Sequence, residues 1–349
     1  MNTPWGYPDF DAHEALHFVT DEKSGLRAII AMHSTHLGPA AGGTRFWHYA
    51  DDADALTDAL RLSRGMSYKN AMAGLPLGGG KAVILADKDR TKSPEMLSAF
   101  GRAVQSLGGK YVTAEDVGIS VADITKISTE TKYIAGLPVE GGEVGGDPGP
   151  HTSLGVFLGI KAAVKRALGK DSLNGLHIAM QGAGSVAGGV ARLAAQEGAR
   201  LSIADVDVGR VEKLAAETGG TIVSPADVLS LEADVVSPCA LGAILTEESI
   251  AALRTPIVAG GANNQLAAPG DGARLHARGI LYAPDYVINA GGIINVSTEY
   301  LNDGGPELVR SRIEAIPGRL EQIWTESASS GRDPAAVADA MAQKLIGRG

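Results

Sequence analysis

Two lysines, Lys69 and Lys81, stand twelve residues apart in the stretch 67–81, whose other members are nearly all apolar or glycine. A lysine kept near apolar groups has its charged form disfavoured by desolvation, and a second ammonium close by pushes in the same direction. Such a lysine can give and take a proton near neutral pH. The three glycines before it, Gly78, Gly79 and Gly80, read as bare backbone against which a ligand can lie. The plainer alternative is a tight glycine turn flanked by two surface lysines.

A carboxylate pair, Glu115-Asp116, ends the segment 111–118, which begins as a strand and closes on Gly118. Either acid can cap the helix suggested by Val121 to Thr129, or one can face a cleft at the strand's end, where active-site groups of α/β folds gather. A third constellation lies at 182–187: Gly182-Ala183-Gly184-Ser185-Val186-Ala187 sits between a strand (176–181) and a helix (187–196). Asp205 follows about twenty residues on, at the end of the strand 201–205. This is the G-x-G-x-x-G/A dinucleotide fingerprint in its proper context. The first glycine makes the turn, the second admits the pyrophosphate, and the helix N-terminus faces the phosphates. Asp205 then takes the ribose hydroxyls and repels a 2′-phosphate, favouring NAD over NADP.

The elements that position these groups alternate between strand and helix. Residues 26–33 read as a strand, 37–46 as a loop with Gly42 and Gly43 open to a ligand, and 53–66 as a helix. In that helix Leu56, Ala59, Leu60 and Ser63 recur at helical spacing while Asp58 and Arg61 fall elsewhere. Residues 82–85 read as a buried strand, and Ser93-Pro94 open a helix that runs to about Leu107. The glycine- and proline-dense run 139–151 reads as a connection between domains, and Thr152 leads a long helix through Leu168. Further strands are expected at 233–236, 256–259 and 286–289. The loops after them carry Cys239-Ala240, Asn263-Asn264 and Asn289, where a nicotinamide would be held. Cys239 reads equally as a small buried filler. From Pro306 to Ile346 the chain reads as helical.

At 349 residues the chain is long for one core, and two domains are expected. The formal net charge of −9 argues against nucleic acid as the main partner. A single cysteine rules out an intrachain disulfide and fits a reducing compartment. Met1 to Phe10 show no basic start followed by an apolar run, and no stretch approaches the length of a membrane helix, so a cytoplasmic protein is expected.

Taken together, residues 38–45, 65–69, 77–81, 113–118 and 289–292 resemble the Glu/Leu/Phe/Val amino-acid dehydrogenase family, most closely its leucine/phenylalanine branch. The resemblance implies an α/β fold of two domains with a cleft between them. An N-terminal substrate-binding and dimerisation domain covers 1–138, and a Rossmann NAD-binding domain covers 139–324. The helices from about 325 to 349 fold back towards the first domain. Carried over, Lys69 matches the lysine that pairs with the substrate carboxylate. Lys81 matches the catalytic lysine that activates water, and Asp116 the acid that moves protons to and from the amino group, with a pKa raised by burial. Gly42 and Gly43 match backbone beside the substrate. Thr152, Asn263 and Asn289 lie where the family contacts nicotinamide or substrate; Gly182, Gly184, Ser185, Val186, Asp205, Cys239 and Ala240 are the remaining cofactor positions. No metal is implied.

The implied reaction takes an L-amino acid, NAD and water to a 2-oxo acid, NADH and ammonium, reversibly, in a homo-oligomer of at least two chains. Leucine-type members usually read Pro-Ala-Leu-Gly-Gly, and here Ala41 stands at that leucine. The smaller side chain widens the pocket towards aromatic substrates, whereas 68–71 and 113–118 look like the leucine type. Branched-chain aliphatic substrates therefore lead and aromatic ones run second. Two other classes stay open: a dinucleotide-binding sensor without turnover, and a pyridoxal enzyme with Lys81 as its Schiff-base lysine.

Overall fold

The computed structural model describes residues 3–89, 91–138 and 144–349, so part of the connection read at 139–151 lies outside the described residues. Two compact units result: Met1–Gly146 with Val296–Pro306 and Ala342–Gly349, and Asp147–Asn295 with Glu307–Met341.

The first unit is built on strands β1 (Ala15–Asp21), β2 (Leu26–Ser34), β3 (Ala40–Ala41), β4 (Thr44–Trp47), β5 (Gly78–Leu85) and β6 (Tyr111–Val112). They run in the order β1-β2-β5-β3-β6, with β4 also paired to β5. The β1–β2 and β2–β5 pairs are antiparallel, and the others are parallel. Helices α1 (Asp52–Met72), α2 (Pro94–Ser106) and α3 (Val121–Ser128) flank the sheet. Each begins on a side-chain cap: Asp51 accepts from Ala53 N, Ser93 from Met96 N, and Ser120 forms a capping box with Asp123. The cap of α3 is thus neither Glu115 nor Asp116.

Strand periodicity divides this core into two layers. Ala28, Ile30 and Met32 of β2 and Ala82 and Ile84 of β5 pack with Leu97 and Phe100 of α2 and with Ile124 of α3. Ile29, Ala31 and Val83 face Leu56, Ala59 and Leu60 of α1. Two residues before Val83, Lys81 therefore lies on the α1 face.

Three expectations change here. The segment 37–46 is not all loop, because β3 and β4 continue one another alongside β5 through Gly42 and Gly43. Helix α1 runs on to Met72, which puts Lys69 on its last turn. The glycines before Lys81 are neither a turn nor a bare ligand surface. They are buried inside β5, and a Cβ would come within 2.0 Å of Ser34 O at Gly78, 2.0 Å of Ser67 N at Gly79 and 2.8 Å of the Tyr111 ring at Gly80. Glycine is required there because α1 and its neighbours lie directly on the strand.

The chain's far end adds to this unit. Arg348 donates to the carbonyls of Asp11, Ala12 and His33, and Gln343 Nε2 donates to Tyr68 Oη at 3.0 Å.

The second unit carries a wholly parallel sheet of β7 (His177–Gln181), β8 (Arg200–Ala204), β9 (Thr221–Ile222), β10 (Val235–Pro238), β11 (Ile257–Val258) and β12 (Leu281–Tyr282). Its order, β12-β11-β10-β7-β8-β9, reverses between β7 and β10, as in doubly wound dinucleotide folds. Helices α4 (Gly149–Leu168), α5 (Ser185–Gln196), α6 (Val208–Thr218), α7 (Glu247–Ala252), α8 (Asp271–Ala277) and α9 (Asp285–Ile288) alternate with or follow the strands. The chain ends in α10 (Gly291–Leu301), α11 (Pro306–Glu314), α12 (Ile316–Ser330) and α13 (Pro334–Leu345). The strand expected at 286–289 is instead α9: Pro284, held at φ −54°, sits at its N-cap, and the last strand lies just before it. Among the described residues, no helix is long and apolar enough to cross a membrane.

The packing of α1 on β5 makes a paired prediction. Gly79→Ala forces its Cβ into the α1 backbone and should lower the unfolding free energy by about 1–3 kcal/mol in a denaturant titration. Gly65→Ala, in the same helix but with nothing within 4 Å of its added carbon, should leave stability unchanged or raise it by up to about 1 kcal/mol.

Candidate active site

Lys81 is 5% exposed on β5, and its Nζ lies 2.9 Å from Asp116 Oδ2. Burial pulls the ammonium pKa below its ordinary value of 10.5, with the Asp116 charge opposing that fall and Arg45 adding to it. The depressed lysine pKa read from the sequence is therefore present, but the second cation acting on it is Arg45.

Asp116 follows β6 in the segment that pairs with 42–46, through Gly42 N to Val112 O, Thr44 N to Ala114 O and Phe46 N to Val117 O. Its Oδ2 also accepts from Arg45 Nε at 3.0 Å. Burial alone would raise this carboxyl, but Lys81 and Arg45 together hold it below the usual 3.8. The expectation of a raised aspartate pKa is thus corrected, since two cations within hydrogen-bond reach outweigh desolvation.

Behind Arg45 the ionic contacts continue. Arg45 Nη1 donates to Asp58 Oδ2 at 2.7 Å, Tyr49 Oη donates to the same oxygen at 2.7 Å, and Arg61 Nη2 reaches Asp58 Oδ1 at 3.2 Å. Beside them opens a hollow of about 470 Å³ that includes Arg45, Tyr49, Asp58 and Arg61 in its lining. Arg45 and Asp58 were not singled out by sequence reasoning. The one signal was an arginine within a glycine-bearing motif; Asp58 falls off the apolar stripe of α1 and yet is only 9% exposed.

The remaining first-unit positions are buried backbone. A Cβ at Gly42 would stand 1.8 Å from Gly80 O, and one at Gly43 2.4 Å from Glu115 O. Protein neighbours alone thus demand both glycines. Ala41 lies on β3 between Gly79 and Val112, and Asn70, next to Lys69, donates to Gly78 O at 2.6 Å.

In the second unit the fingerprint forms as read. β7 leads into Gly182 at φ +110°, and α5 starts at Ser185 without a side-chain cap. An added Cβ at Gly184 would meet nothing within 4 Å, and Ala187 is fully buried against the sheet side. Asp205, directly after β8, accepts from Ala183 N and Asp207 N. Asn289 Nδ2 donates to Asn263 Oδ1 at 2.8 Å and to Gly261 O at 3.2 Å, so these two asparagines meet. Cys239 Sγ accepts from Gly261 N, and burial pushes its thiol pKa up. Thr152 Oγ1 donates back to Pro148 O within α4. The residues fit a dinucleotide: an uncapped helix N-terminus beside an open glycine suits a pyrophosphate. Gln181 Oε1 and Asn289 Oδ1 are buried acceptors without a partner among the described residues, able to meet the donors of such a ligand. Among the described residues, no group of three or more His, Cys, Asp or Glu side chains could hold a metal ion.

A doubly wound dinucleotide unit joined in one chain to a unit with a buried lysine–aspartate pair defines an amino-acid dehydrogenase, an oxidoreductase using a nicotinamide cofactor. The family model for the Glu/Leu/Phe/Val dehydrogenase dimerisation domain matches residues 13–133, and that for glutamate/leucine/phenylalanine/valine dehydrogenase matches residues 201–343. A leucine dehydrogenase from Bacillus subtilis (strain 168) is 47% identical over 96% of this chain and 92% of its own. A valine dehydrogenase from Streptomyces albus is 44% identical over 97% and 94%. The crystal structure of L-tryptophan dehydrogenase from Nostoc punctiforme superposes with a TM-score of 0.84 at 41% identity, covering 96% of each chain. The chain belongs to the Glu/Leu/Phe/Val dehydrogenase family.

Asp116→Asn removes the one anion that, among the described residues, is in contact with Lys81, and so should lower the lysine's pKa further. Observing the Lys81 Cε resonance through a pH titration of carbon-labelled protein checks the sign.

Proposed function

We propose that the chain catalyses the NAD-dependent, reversible oxidative deamination of a branched-chain aliphatic L-amino acid, leucine or valine. The products are the 2-oxo acid, NADH, ammonium and a proton. The observation that carries this reading is the buried Lys81–Asp116 pair at 2.9 Å in a chain close to half identical, over nearly its full length, to a leucine dehydrogenase. Bound nicotinamide supplies the acceptor for the hydride that leaves the α-carbon. The rest is work for this chain's own groups. Lys69 holds the substrate carboxylate, and Gly42 and Gly43 supply the backbone beside it. Burial favours the neutral form of Lys81. Lys81 takes a proton from the water that adds to the imine carbon, passes that proton on, and then takes the hydroxyl proton as the carbinolamine collapses to the 2-oxo acid. These two protons leave as the fourth hydrogen of ammonium and the free proton of the products. Asp116, held ionised, accepts a proton from the amino group and delivers one to the departing ammonia. On the cofactor side, Gly182, Gly184, Ser185 and Val186 hold the pyrophosphate. Asp205 takes the ribose hydroxyls and selects NAD over NADP, while Thr152, Cys239, Ala240, Asn263 and Asn289 bound the nicotinamide end.

A second reading, an aromatic L-amino acid, is favoured by Ala41 at the position where leucine-type members carry leucine, and by the likeness to a tryptophan dehydrogenase. We place the enzyme in the cytoplasm as a homo-oligomer of at least two chains. The lone cysteine and the match of residues 13–133 to a dimerisation-domain model support that placement. The 1–138 and 139–324 division, with the tail from about 325 returning, stands with it as the functional partition.

The test is NADH formation from a panel of L-amino acids with NAD and, separately, NADP. The expected result is the highest kcat/KM with leucine or valine and at least about tenfold preference for NAD. A best rate with phenylalanine or tryptophan replaces the aliphatic reading by the aromatic one. Binding of NAD without turnover of any amino acid replaces both by a sensor. Lys81→Ala should abolish turnover while the fold is kept.

A further inference from the structure

Asp116 presents its two oxygens unequally. Lys81 Nζ and Arg45 Nε both bind Oδ2, at 2.9 and 3.0 Å, and no protein group among the described residues is bonded to Oδ1. Arg45 in turn is gripped by Asp58, which is itself held by Tyr49 and Arg61. When fully ionised, this row holds three cations, Lys81, Arg45 and Arg61, against two anions, Asp116 and Asp58. Loss of the Lys81 proton brings it to neutrality. Arg45 comes from β4 and Asp58 from α1, so the arrangement joins three separate elements rather than being a local salt bridge.

We propose that Arg45 and Asp58 are positioning residues of the deamination reaction. Arg45 fixes Asp116 through Oδ2 and leaves Oδ1 as the oxygen that exchanges protons with the substrate. With Asp58 as its counter-charge, it sets the pH at which Lys81 gives up its proton. Neither residue touches the substrate. The inference rests on the proposed role of Lys81 as the water-activating base. The other groups facing Lys81 do not replace this pair. Ala31 opposite it on β2 is apolar, and Tyr111 of β6 donates its hydroxyl to Gly42 O. Lys69 lies on α1 as well, three helical turns beyond Asp58.

The two residues carry opposite charges, so their removal has opposite signs. Without the Arg45 cation the Lys81 ammonium is easier to keep, and the midpoint of the kcat–pH profile for deamination should rise by about one pH unit. Without the Asp58 anion the ammonium is harder to keep, and the midpoint should fall. The experiment is the kcat–pH profile of Arg45→Gln, Asp58→Asn and the double variant, with KM for the amino acid measured alongside. Expected are an upward shift, a downward shift and a return towards the parent midpoint, with KM changed less than about threefold. Loss of rate with unmoved midpoints, or shifts of one sign in both single variants, overturns the proposal in favour of a purely structural role. If Arg45→Gln does not fold by circular dichroism, Asp58→Asn and Arg61→Gln carry the same test. The second removes a half-exposed outer cation and should shift the midpoint upward by less. Lys81→Ala, run in parallel, separates the two readings: retained turnover sinks the role of Lys81 itself, whereas abolished turnover with unmoved Arg45 and Asp58 midpoints sinks only the relay.

Discussion

Burying an ammonium away from water costs several kcal/mol unless an anion stands beside it, and that cost organises the first unit around Lys81. The anion is Asp116, which must arrive from a different strand and be fixed at bonding distance. A lone buried ion pair leaves lone pairs and protons unsatisfied, and here Arg45 completes it. The same oxygen that meets the lysine meets the guanidinium, the guanidinium also donates to Asp58, and Asp58 in turn accepts from Tyr49 and Arg61. Ionic contacts thus run in short steps from a position 5% exposed to the rim of an open hollow. A lysine so held can change protonation state without an uncompensated charge appearing in the core.

The glycines explain how that lysine comes to be buried at all. A side chain at 79 would meet the α1 backbone at Ser67, one at 78 would meet Ser34 of β2, and one at 80 would meet the Tyr111 ring. The absence of all three lets helix and neighbouring strands close around the segment that leads into Lys81. The sequence reading saw the same glycines and assigned them to a ligand. Composition cannot tell which neighbour occupies the space a missing Cβ leaves, because that neighbour comes from residues 34, 67 and 111, remote in the chain. The same limit hid Asp58, since an acid off the apolar stripe of a helix reads as facing solvent until its partner from β4 is in place.

What was legible was local. The fingerprint at 182–187 needs only a strand, three small residues and a helix in succession, and all were adjacent in the sequence. The cap at Ser93 and the helix end at about Leu107 were read for the same reason. Two short strands were not: β9 and β12 have two residues each, too few for alternation to show, and 286–289 was assigned a strand where Pro284 starts a helical turn. The pKa of Asp116 was misjudged because burial was visible in an apolar setting whereas the second cation was not.

Helix α1 also works as a gauge. Asp58 and Lys69 are eleven positions apart on α1, just over three turns, so they project from one face about 16 Å apart. One anchors the outer end of the ionic row, and the other sits where the helix meets the glycine strand. Adding or removing a single residue between them would rotate one against the other by about 100° and leave one of the two attachments unmade. Length variation among relatives of this chain should therefore collect in its surface connections and spare the span from 58 to 69 altogether.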